Sequence, residues 1–306
     1  MTFAIENGVW PTMVTLYTKK NQIDYQAMKE LINWYKLHDV NGLFAICQSS
    51  EMFSLSLEEK VDLARFIKKE AKSMQIIASG HTSDELEAQV NEIRKISDTG
   101  IDAFVLVSNR LAKQSESDDV FKQNVETILS EIPKVRFGIY ECPYPYKRLV
   151  SPSLLKWLAE TGRFYFLKDT SCDLHQLKLK MQAIEGTSLK IFNANSTTLF
   201  ESLKYGIHGY SGVMANFHPE LYSWLQSNWE EFSEKAKSIQ AFLSMTSLYE
   251  LQNYPKNAKY FLYLNGVANT YITRTNQHLT LTEFHKKEIQ NLQMMTDYVK
   301  KQLFIN

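Results

Sequence analysis

The chain has 306 residues, and its 34 basic side chains balance 34 acidic ones, so its formal net charge is zero. At roughly 150 residues per domain the length predicts two domains, although α/β barrels of about 200–250 residues often form one unit. Its 44% hydrophobic and 22% charged residues are typical of a globular chain and argue against disorder. The balanced charge supplies no basic stripe, so we expect no nucleic-acid partner.

The N-terminal segment and the cysteine content indicate the compartment. No run approaches the roughly 18 apolar residues of a membrane span, so we expect no membrane association. The opening sequence MTFAIENGVWPTMVTLY lacks the basic start and apolar core of a signal peptide. Cys47, Cys142 and Cys172 are too few and too scattered for a disulfide scaffold. We therefore expect a soluble cytoplasmic protein.

Eight β-prone runs follow one another along the chain, most of them bounded by turn residues. The predicted strands cover residues 12–17, 42–47, 75–79, 103–107, 136–140, 165–168, 190–193 and 209–213. The segments between them are typical of amphipathic helices, such as residues 57–73. Ser83 is a predicted N-cap, and Ser151 followed by Pro152 opens another helix.

Strands that alternate with helices pair in parallel through crossover connections. Eight such units predict an α/β fold, a (β/α)8 or TIM barrel, over residues 1–215, with the last barrel helix reaching to about residue 232. Beyond the strands, helices are predicted at residues 219–237, 241–252, 255–265 and 282–302. Residues 233–306 therefore form a predicted C-terminal helical extension.

Reactive side chains of such barrels lie at the C-terminal ends of the strands, where the segment FYFLKDTS stands out. The period of two places Phe164, Phe166 and Lys168 on one side of a strand. If Phe166 points into the barrel, Lys168 does too, and burial then lowers its pKa from about 10.4 towards the range of a nucleophilic amine. In the alternative, the strand ends one residue earlier and Lys168 is an exposed cation.

Two other strand ends carry polar groups. Tyr140 precedes Glu141 and the segment CPYP, and its phenol could relay protons to a substrate held on Lys168. The alternative is an ordinary aromatic residue at the barrel rim. The segment CQSSE, residues 47–51, could hold a carboxylate through hydroxyl and backbone N–H groups, or it could be a plain polar loop.

The three cysteines all follow predicted strand ends, as does His81. Soft metal sites need three or four such ligands that converge. We favour small thiols that pack the loops, because close Cys-x-x-Cys spacing is absent, and so predict no metal.

Taken in order, these strand ends resemble the class I aldolases related to dihydrodipicolinate synthase and N-acetylneuraminate lyase. The resemblance runs from about Gly8 to the C-terminal helices and includes the segments IFNANSTTLFESL, GIHGYSGVMANFHPEL and YPKNAKYFLYLNG. It implies that Lys168 is the Schiff-base lysine and Tyr140 the proton relay. It further implies that Ser49 and Ser50 hold the carboxylate of a 2-oxo acid and that the backbone near Tyr210 lines the imine.

The chain also departs from the family pattern. Gln48 stands where the family has the first loop hydroxyl, and Asn109 where many members have a tyrosine that reaches a neighbouring subunit; we include both among the predicted substrate-binding residues. Glu141 replaces a usual asparagine. The arginine with which dihydrodipicolinate synthases hold their second substrate falls near Pro145, and Lys147 and Arg148 are out of register.

The acidic pair of sialic-acid lyases is replaced by Ser196 and Thr197. Because of these departures we expect neither dihydrodipicolinate synthase activity nor sialic-acid lyase activity. The leading hypothesis is a lyase that cleaves or forms a bond between pyruvate and an aldehyde related to sugar acids, through a lysine iminium and with no cofactor. The alternatives are a dehydratase of a deoxy-keto-sugar acid that uses the same iminium, and a barrel that binds a 2-oxo acid without catalysis. The resemblance implies a homo-oligomer, a tetramer or a dimer.

Overall fold

The computed structural model describes residues 3–302. Eight parallel strands form a barrel in which each strand lies beside its sequence neighbour, and β1 pairs with β8. The strands are β1 (Gly8–Val9), β2 (Gly42–Phe44), β3 (Gln75–Ala78), β4 (Ala103–Val107), β5 (Phe137–Tyr140), β6 (Phe164–Asp169), β7 (Lys190–Asn193) and β8 (Gly209–Tyr210). A bridge between Thr12 and Phe44 joins the first segment to β2 and closes the barrel. The predicted TIM barrel is confirmed.

Helices follow the strands and surround them. They are α1 (Tyr25–Leu37), α2 (Leu57–Ala71), α3 (Leu86–Ser97), α4 (Ser108–Leu111), α5 (Asp118–Glu131), α6 (Pro152–Glu160), α7 (Leu174–Ala183), α8 (Leu199–Leu203), α9 (Pro219–Asn228), α10 (Ser233–Thr246), α11 (Lys256–Leu264) and α12 (Glu283–Gln302). Short 3₁₀ helices cover Met52–Ser54, Val213–Asn216 and Ser247–Leu251. None of the helices within residues 3–302 is both long enough and apolar enough to cross a bilayer.

The first strand was predicted in the wrong place. Residues 12–17 are β-prone and fully buried, but only Thr12 pairs with the barrel, and the strand proper is Gly8–Val9. The rest of the segment bonds elsewhere: Thr15 Oγ1 donates to the Ser50 carbonyl (2.8 Å), and Tyr17 forms an antiparallel bridge with Ile23. Burial across the end of the barrel, rather than membership of the sheet, explains the apolar run.

One predicted helix cap was also wrong. Helix α3 begins at Leu86 with Glu85 at the N-cap position, and the Ser83 backbone N–H instead bonds the Glu92 carboxylate (3.1 Å). The predicted start of α6 is confirmed, because Ser151 Oγ accepts a hydrogen bond from the Leu154 backbone N–H (3.2 Å) and Pro152 occupies the first helical position.

An aromatic layer fills the barrel interior below its C-terminal face. Phe166 lies 5.7 Å from Trp10, 6.2 Å from Phe44 and 4.5 Å from Phe192, measured between ring centroids. A Cβ atom at Gly42 would lie 2.4 Å from the Trp10 ring, so only glycine leaves room for this indole. Because Phe166 points inward, the side chain two residues later on β6 points inward as well.

The helices of the extension are displaced from their predicted bounds. The predicted helix over residues 219–237 ends at Asn228, and α10 runs through the predicted break at residues 238–240. The chain turns at residues 229–232 so that α10 packs against α9 and α8. Tertiary packing of apolar faces decided these bounds against the local pattern. The domain division near residue 232 stays a prediction.

Candidate active site

Lys168 and Tyr140 face each other across neighbouring strands. Tyr140 on β5 is the register partner of Lys168 on β6, and the Lys168 Nζ atom lies 4.5 Å from the centroid of the Tyr140 ring. Strand β6 continues through Asp169, and Lys168 and Tyr140 are each only 3% exposed. Lys168 is therefore an inward-pointing residue at the C-terminal end of the barrel rather than an exposed loop cation.

The surroundings of Lys168 favour the neutral amine. Within residues 3–302 its ammonium group forms no ion pair and donates no hydrogen bond to another side chain or to the backbone. Burial lowers its pKa, and the opposing influence of Cys47, Cys142 and Glu250 is weaker. Burial also raises the pKa of Tyr140 well above its ordinary value, so the phenol keeps its proton. The site therefore sets an amine with a lowered pKa beside a phenol that keeps its proton.

Gln48 is the hydrogen-bonding partner of the phenol. The Tyr140 hydroxyl donates to Gln48 Oε1 (3.4 Å), and the Cys142 thiol donates to the same oxygen (3.5 Å). A hydroxyl at this position could both accept and release a proton, whereas a carboxamide oxygen only accepts. Gln48 can therefore orient Tyr140 but cannot pass its proton onward.

The polar turn after β2 places its two serines differently. Ser49 lines the cavity above Lys168, and its hydroxyl donates to Thr12 Oγ1 (3.1 Å). Ser50 does not line it: its hydroxyl donates to the Cys47 carbonyl (2.7 Å) and accepts from the Cys47 backbone N–H (2.8 Å). Ser50 shapes the turn that presents Ser49.

Asn109 and Tyr210 also lie outside the cavity wall. The Asn109 amide donates to the carbonyls of Cys142 (2.8 Å), Tyr144 (2.9 Å) and Tyr146 (2.6 Å), so it fastens the loop after β5. The Tyr210 ring stacks on the Tyr222 ring at 4.0 Å between centroids. The wall beyond β8 is instead formed by Gly212 and Val213, which follow Tyr210 in the chain.

The cavity encloses about 650 Å³ and opens at the C-terminal face of the barrel. Lys168, Tyr140, Gln48 and Ser49, all predicted from the sequence, line it together. Sequence reasoning missed the other polar members of the wall, which include Thr170, Asn195, Glu250, Tyr254, Thr275 and Asn276. The YPK segment contains Tyr254 and was a usable signal, whereas nothing in the local pattern marks Glu250.

The C-terminal extension forms one side of the cavity. Tyr254 lies beside Ser49, and its hydroxyl accepts a hydrogen bond from Asn216 Nδ2 (3.3 Å). Burial raises the pKa of Tyr254 well above its ordinary value, and hydrogen bonding with Ser49 opposes this rise. A second neutral phenol therefore stands at the turn that is predicted to hold the carboxylate.

An ion pair joins the extension to the β2 turn. Lys259 on α11 lies 2.5 Å from Glu51, and both side chains are fully buried. The other Glu51 oxygen accepts from the backbone N–H groups of Arg274 (2.6 Å) and Thr275 (2.7 Å). Burial lowers the pKa of Lys259 to about 8, although Glu51 opposes this shift. The cavity wall is thus assembled from segments more than 200 residues apart.

A second buried cluster lies behind the reactive pair. Lys180 on α7 contacts Glu141 and Asp169, each at 2.5 Å, and these two carboxylates directly follow Tyr140 and Lys168 in the chain. Burial and the Asp169 charge raise the pKa of Glu141 to about 7. Burial would lower the pKa of Lys180, but the two carboxylates outweigh it and raise that pKa. The cluster clamps the tips of β5 and β6 together.

Lys147 and Arg148 point in different directions. Lys147 lines the cavity, and its ammonium group donates to the Thr170 carbonyl (2.8 Å). Arg148 turns away and pairs with Asp118 (2.8 Å). Ser196 is buried against the Tyr222 hydroxyl (2.6 Å), so it does not replace the acidic pair in the cavity wall.

His81 and the three cysteines were considered as metal ligands, but His81 is engaged in hydrogen bonds within the protein. His81 Nδ1 donates to Gln89 (2.8 Å), because Nε2 accepts from the Val107 backbone N–H (2.7 Å). Burial lowers the pKa of His81 to about 4, so the ring is neutral. Across residues 3–302, no three His, Cys, Asp or Glu side chains are arranged to hold a metal ion. Cys47 and Cys142 are buried, and Cys172 is exposed.

Comparison with known proteins matches this geometry to one family. The model of the dihydrodipicolinate synthetase family matches residues 6–294. The 4-hydroxy-tetrahydrodipicolinate synthase of Pseudoalteromonas atlantica is 24% identical over 270 residues, which cover 87% of this chain and 90% of that protein.

Two solved structures share the fold. The first is YagE, a prophage protein of the dihydrodipicolinic acid synthase family from E. coli K12, in complex with pyruvate; it has a TM-score of 0.85 and 19% identity and covers 99% of this chain and 100% of its own. The second is CdNal from Clostridium difficile in complex with mannosamine, with a TM-score of 0.84, 19% identity and coverage of 95% and 99%. The chain therefore belongs to the dihydrodipicolinate synthetase family, whose members are class I, Schiff-base-forming aldolases that use pyruvate.

Proposed function

We propose that the chain is a lyase that joins or separates a 2-oxo acid, pyruvate or a close relative, and an aldehyde through a Schiff base on Lys168. The observation that carries this proposal is the buried, unpaired Lys168 amine, which lies directly across from the Tyr140 phenol in a cavity of about 650 Å³. Burial without a carboxylate partner is the environment that turns a lysine into a nucleophile.

In the cleavage direction, the reaction begins when the Lys168 amine attacks the C2 carbon of a 4-hydroxy-2-oxo acid. The carbinolamine then loses its oxygen as water and leaves a protonated imine, with Tyr140 as the donor of the proton that the departing hydroxyl takes up. The Tyr140 phenolate takes the proton of the C4 hydroxyl as the C3–C4 bond breaks, and the electron pair of that bond moves towards the positive nitrogen. The C4 fragment leaves as the aldehyde, and the enamine of the shorter 2-oxo acid remains on Lys168. Protonation of the enamine at C3 and hydrolysis of the imine release the 2-oxo acid and restore the amine.

The carboxylate of the 2-oxo acid is assigned to the turn that contains Ser49. Ser49 lies in the cavity wall, with the Tyr254 phenol beside it, so hydroxyl donors are available within that wall. Because Gln48 cannot relay a proton, Tyr140 exchanges its proton with the substrate or with water in the cavity. In this proposal the Tyr140 phenol performs the proton transfers without a hydroxyl group at residue 48.

The second substrate is proposed to be an aldehyde related to sugar acids. The structure of CdNal in complex with mannosamine, a sugar derivative, gives this proposal support from the same fold. A dehydratase that uses the same iminium would lose water from its substrate and release no aldehyde, so product analysis separates the two reactions. The predicted oligomeric state, a homotetramer or a homodimer, can be tested by sedimentation velocity.

The decisive experiment is borohydride reduction in the presence of pyruvate, followed by peptide mass mapping. We expect one adduct, on Lys168, because burial lowers the pKa of its amine and no ion pair engages it within residues 3–302. Lys180 is a matched internal control, because it is equally buried but paired with two carboxylates. If no member of a panel of 2-oxo acids labels Lys168, the proposal fails. If an adduct forms but no substrate turns over, the chain is a binding barrel.

A further inference from the structure

Glu250 places in the cavity a carboxylate that has no partner among residues 3–302. It lies on the 3₁₀ helix Ser247–Leu251 of the extension and lines the same cavity as Lys168. Within residues 3–302 its oxygens accept no hydrogen bond and form no ion pair. Burial raises its pKa, and the charge of Lys168 opposes that rise. The carboxylate and the amine therefore influence each other across the cavity.

The other carboxylates at this end of the barrel are fully engaged. Glu51 pairs with Lys259, and Glu141 and Asp169 pair with Lys180. Glu250 is half-buried, so its carboxylate is partly removed from water and is available to accept hydrogen bonds from a ligand in the cavity. Glu250 thus points to a group of the substrate that donates hydrogen bonds.

Lys147 provides the complementary group in the same wall. Its ammonium group uses one hydrogen bond on the Thr170 carbonyl, and an ammonium group has three donors. No ion pair joins it to Glu250 among the described residues. Glu250 and Lys147 therefore add one anionic acceptor and one cationic donor to the cavity wall, whose charges sum to zero.

We propose that Glu250 and Lys147 form a subsite for the uncharged, hydroxylated chain of the aldehyde, and that Glu250 discriminates against aldehydes that carry a carboxylate. This inference rests on the proposed function. A hydroxyl group donates to one partner and accepts from another, so adjacent hydroxyls satisfy both side chains. A carboxylate would gain Lys147 but meet the like charge of Glu250, a repulsion that an uncharged hydroxyl avoids.

The test measures aldehyde binding by titration calorimetry on enzyme whose Lys168 has been reduced with pyruvate, so that no turnover interferes. D-glyceraldehyde is the neutral probe and succinic semialdehyde the anionic one. We expect the wild type to prefer D-glyceraldehyde by about tenfold or more, which is the scale of one unfavourable charge contact. Glu250→Gln should remove most of this preference, and Lys147→Met should increase it.

Glu230→Gln is the matched control, because Glu230 is exposed and lies outside the cavity wall. It should leave the preference unchanged. If neither aldehyde binds, or if Glu250→Gln leaves the preference as in the wild type, the subsite is overturned while the Lys168 adduct still supports the proposed function. If no adduct forms, the proposed function itself fails, and the same titrations on unreduced enzyme then test the subsite alone.

Discussion

Two buried lysines near the same end of the barrel have pKa values that are shifted in opposite directions. Lys168 at the end of β6 is 3% exposed and Lys180 on α7 is 1% exposed. Burial lowers the pKa of Lys168, which has no carboxylate partner, whereas Glu141 and Asp169 raise the pKa of Lys180. Burial also lowers the pKa of Lys259, to about 8, although its one carboxylate partner, Glu51, opposes this shift. The comparison teaches that two carboxylate partners outweigh burial at Lys180, whereas one does not at Lys259, and that burial acts on Lys168 without a carboxylate ion-pair partner among residues 3–302.

Removal of the unpaired amine should have the largest effect. We expect Lys168→Ala to reduce turnover by about 10⁴-fold or more, the scale on which an enzyme loses its nucleophile. The adduct with pyruvate should disappear with it, as measured by mass spectrometry after borohydride reduction. Circular dichroism should be unchanged, because no hydrogen bond of the described fold depends on this side chain. Residual turnover near the wild-type level would assign the nucleophile elsewhere.

Removal of the phenol beside Lys168 should slow the chemistry and spare binding. We expect Tyr140→Phe to lower kcat by about 10²–10⁴-fold, the usual contribution of a general acid or base. The amplitude of the pyruvate adduct should remain, since the amine is untouched. Tyr165→Phe is the matched control, because Tyr165 bonds only the Gly162 carbonyl, near the start of the same strand. A normal kcat in Tyr140→Phe would contradict the proton-relay role.

Removal of Lys180, which pairs with two carboxylates, should destabilise the fold rather than remove the proposed nucleophile. Lys180→Met leaves two buried carboxylates together, and breaking a buried pair in this way costs about 3–5 kcal/mol. We expect a lower midpoint in urea unfolding. The triple variant Lys180→Met/Glu141→Gln/Asp169→Asn removes all three charges and should recover much of this loss. If the single and triple variants are equally unstable, charge is not what Lys180 supplies.

The pH dependence of adduct formation should separate Lys168 from an ordinary lysine. Only the neutral amine attacks, so the rate should rise with pH and level off once pH exceeds the pKa of Lys168. Because burial lowers that pKa, the plateau should be reached below the ordinary lysine value of about 10.4. Glu250 raises the pKa of Lys168, so Glu250→Gln should move the profile to lower pH. A profile centred on the ordinary value would contradict the desolvated amine.

The smallest expected effect is a gain in stability. Burial of Lys168 favours its neutral form, so the unfolded chain binds more protons between the two pKa values and the wild type is less stable at low pH. Lys168→Met should therefore raise the free energy of unfolding at pH 7 by roughly 0.5–2 kcal/mol. The gain should shrink as pH rises through the folded pKa towards the ordinary lysine pKa. If Lys168→Met is equally stable or less stable than the wild type at pH 7, burial of the Lys168 amine does not lower the free energy of unfolding.

The predictable part of this molecule was its periodic part. Seven of the eight strands were found near their true positions, because buried parallel strands read as β-prone runs between turn residues. The remaining strand, β1, was misplaced because residues 12–17 are buried across the end of the barrel without joining the sheet. Helix bounds in the extension were displaced, since packing of α10 on α9 and α8 overrode local propensity.

Among site residues, alternation along β6 correctly carried Lys168 from an aromatic residue to the barrel interior. Loop residues behaved otherwise. Asn109 fastens the loop after β5, and Ser50 shapes the β2 turn, although both were predicted to touch substrate. The Asn109 side chain points to carbonyl groups 33 to 37 residues further along the chain, which no local pattern records. The Ser50 hydroxyl instead bonds a carbonyl three residues back, within its own turn.

The sequence by itself therefore determined the barrel, the strand that carries Lys168 and the strand that carries Tyr140, because side-chain alternation and parallel pairing are local rules. Only the tertiary structure decided which lysine is left unpaired, since the partners of Lys180 and Lys259 lie 11–39 and 208 residues away in the chain. It also decided that Glu250 and Tyr254 enter the cavity, because the fold of the extension over the barrel end brings them there. Charge pairing and burial are properties of three-dimensional neighbours, and a linear pattern does not contain them.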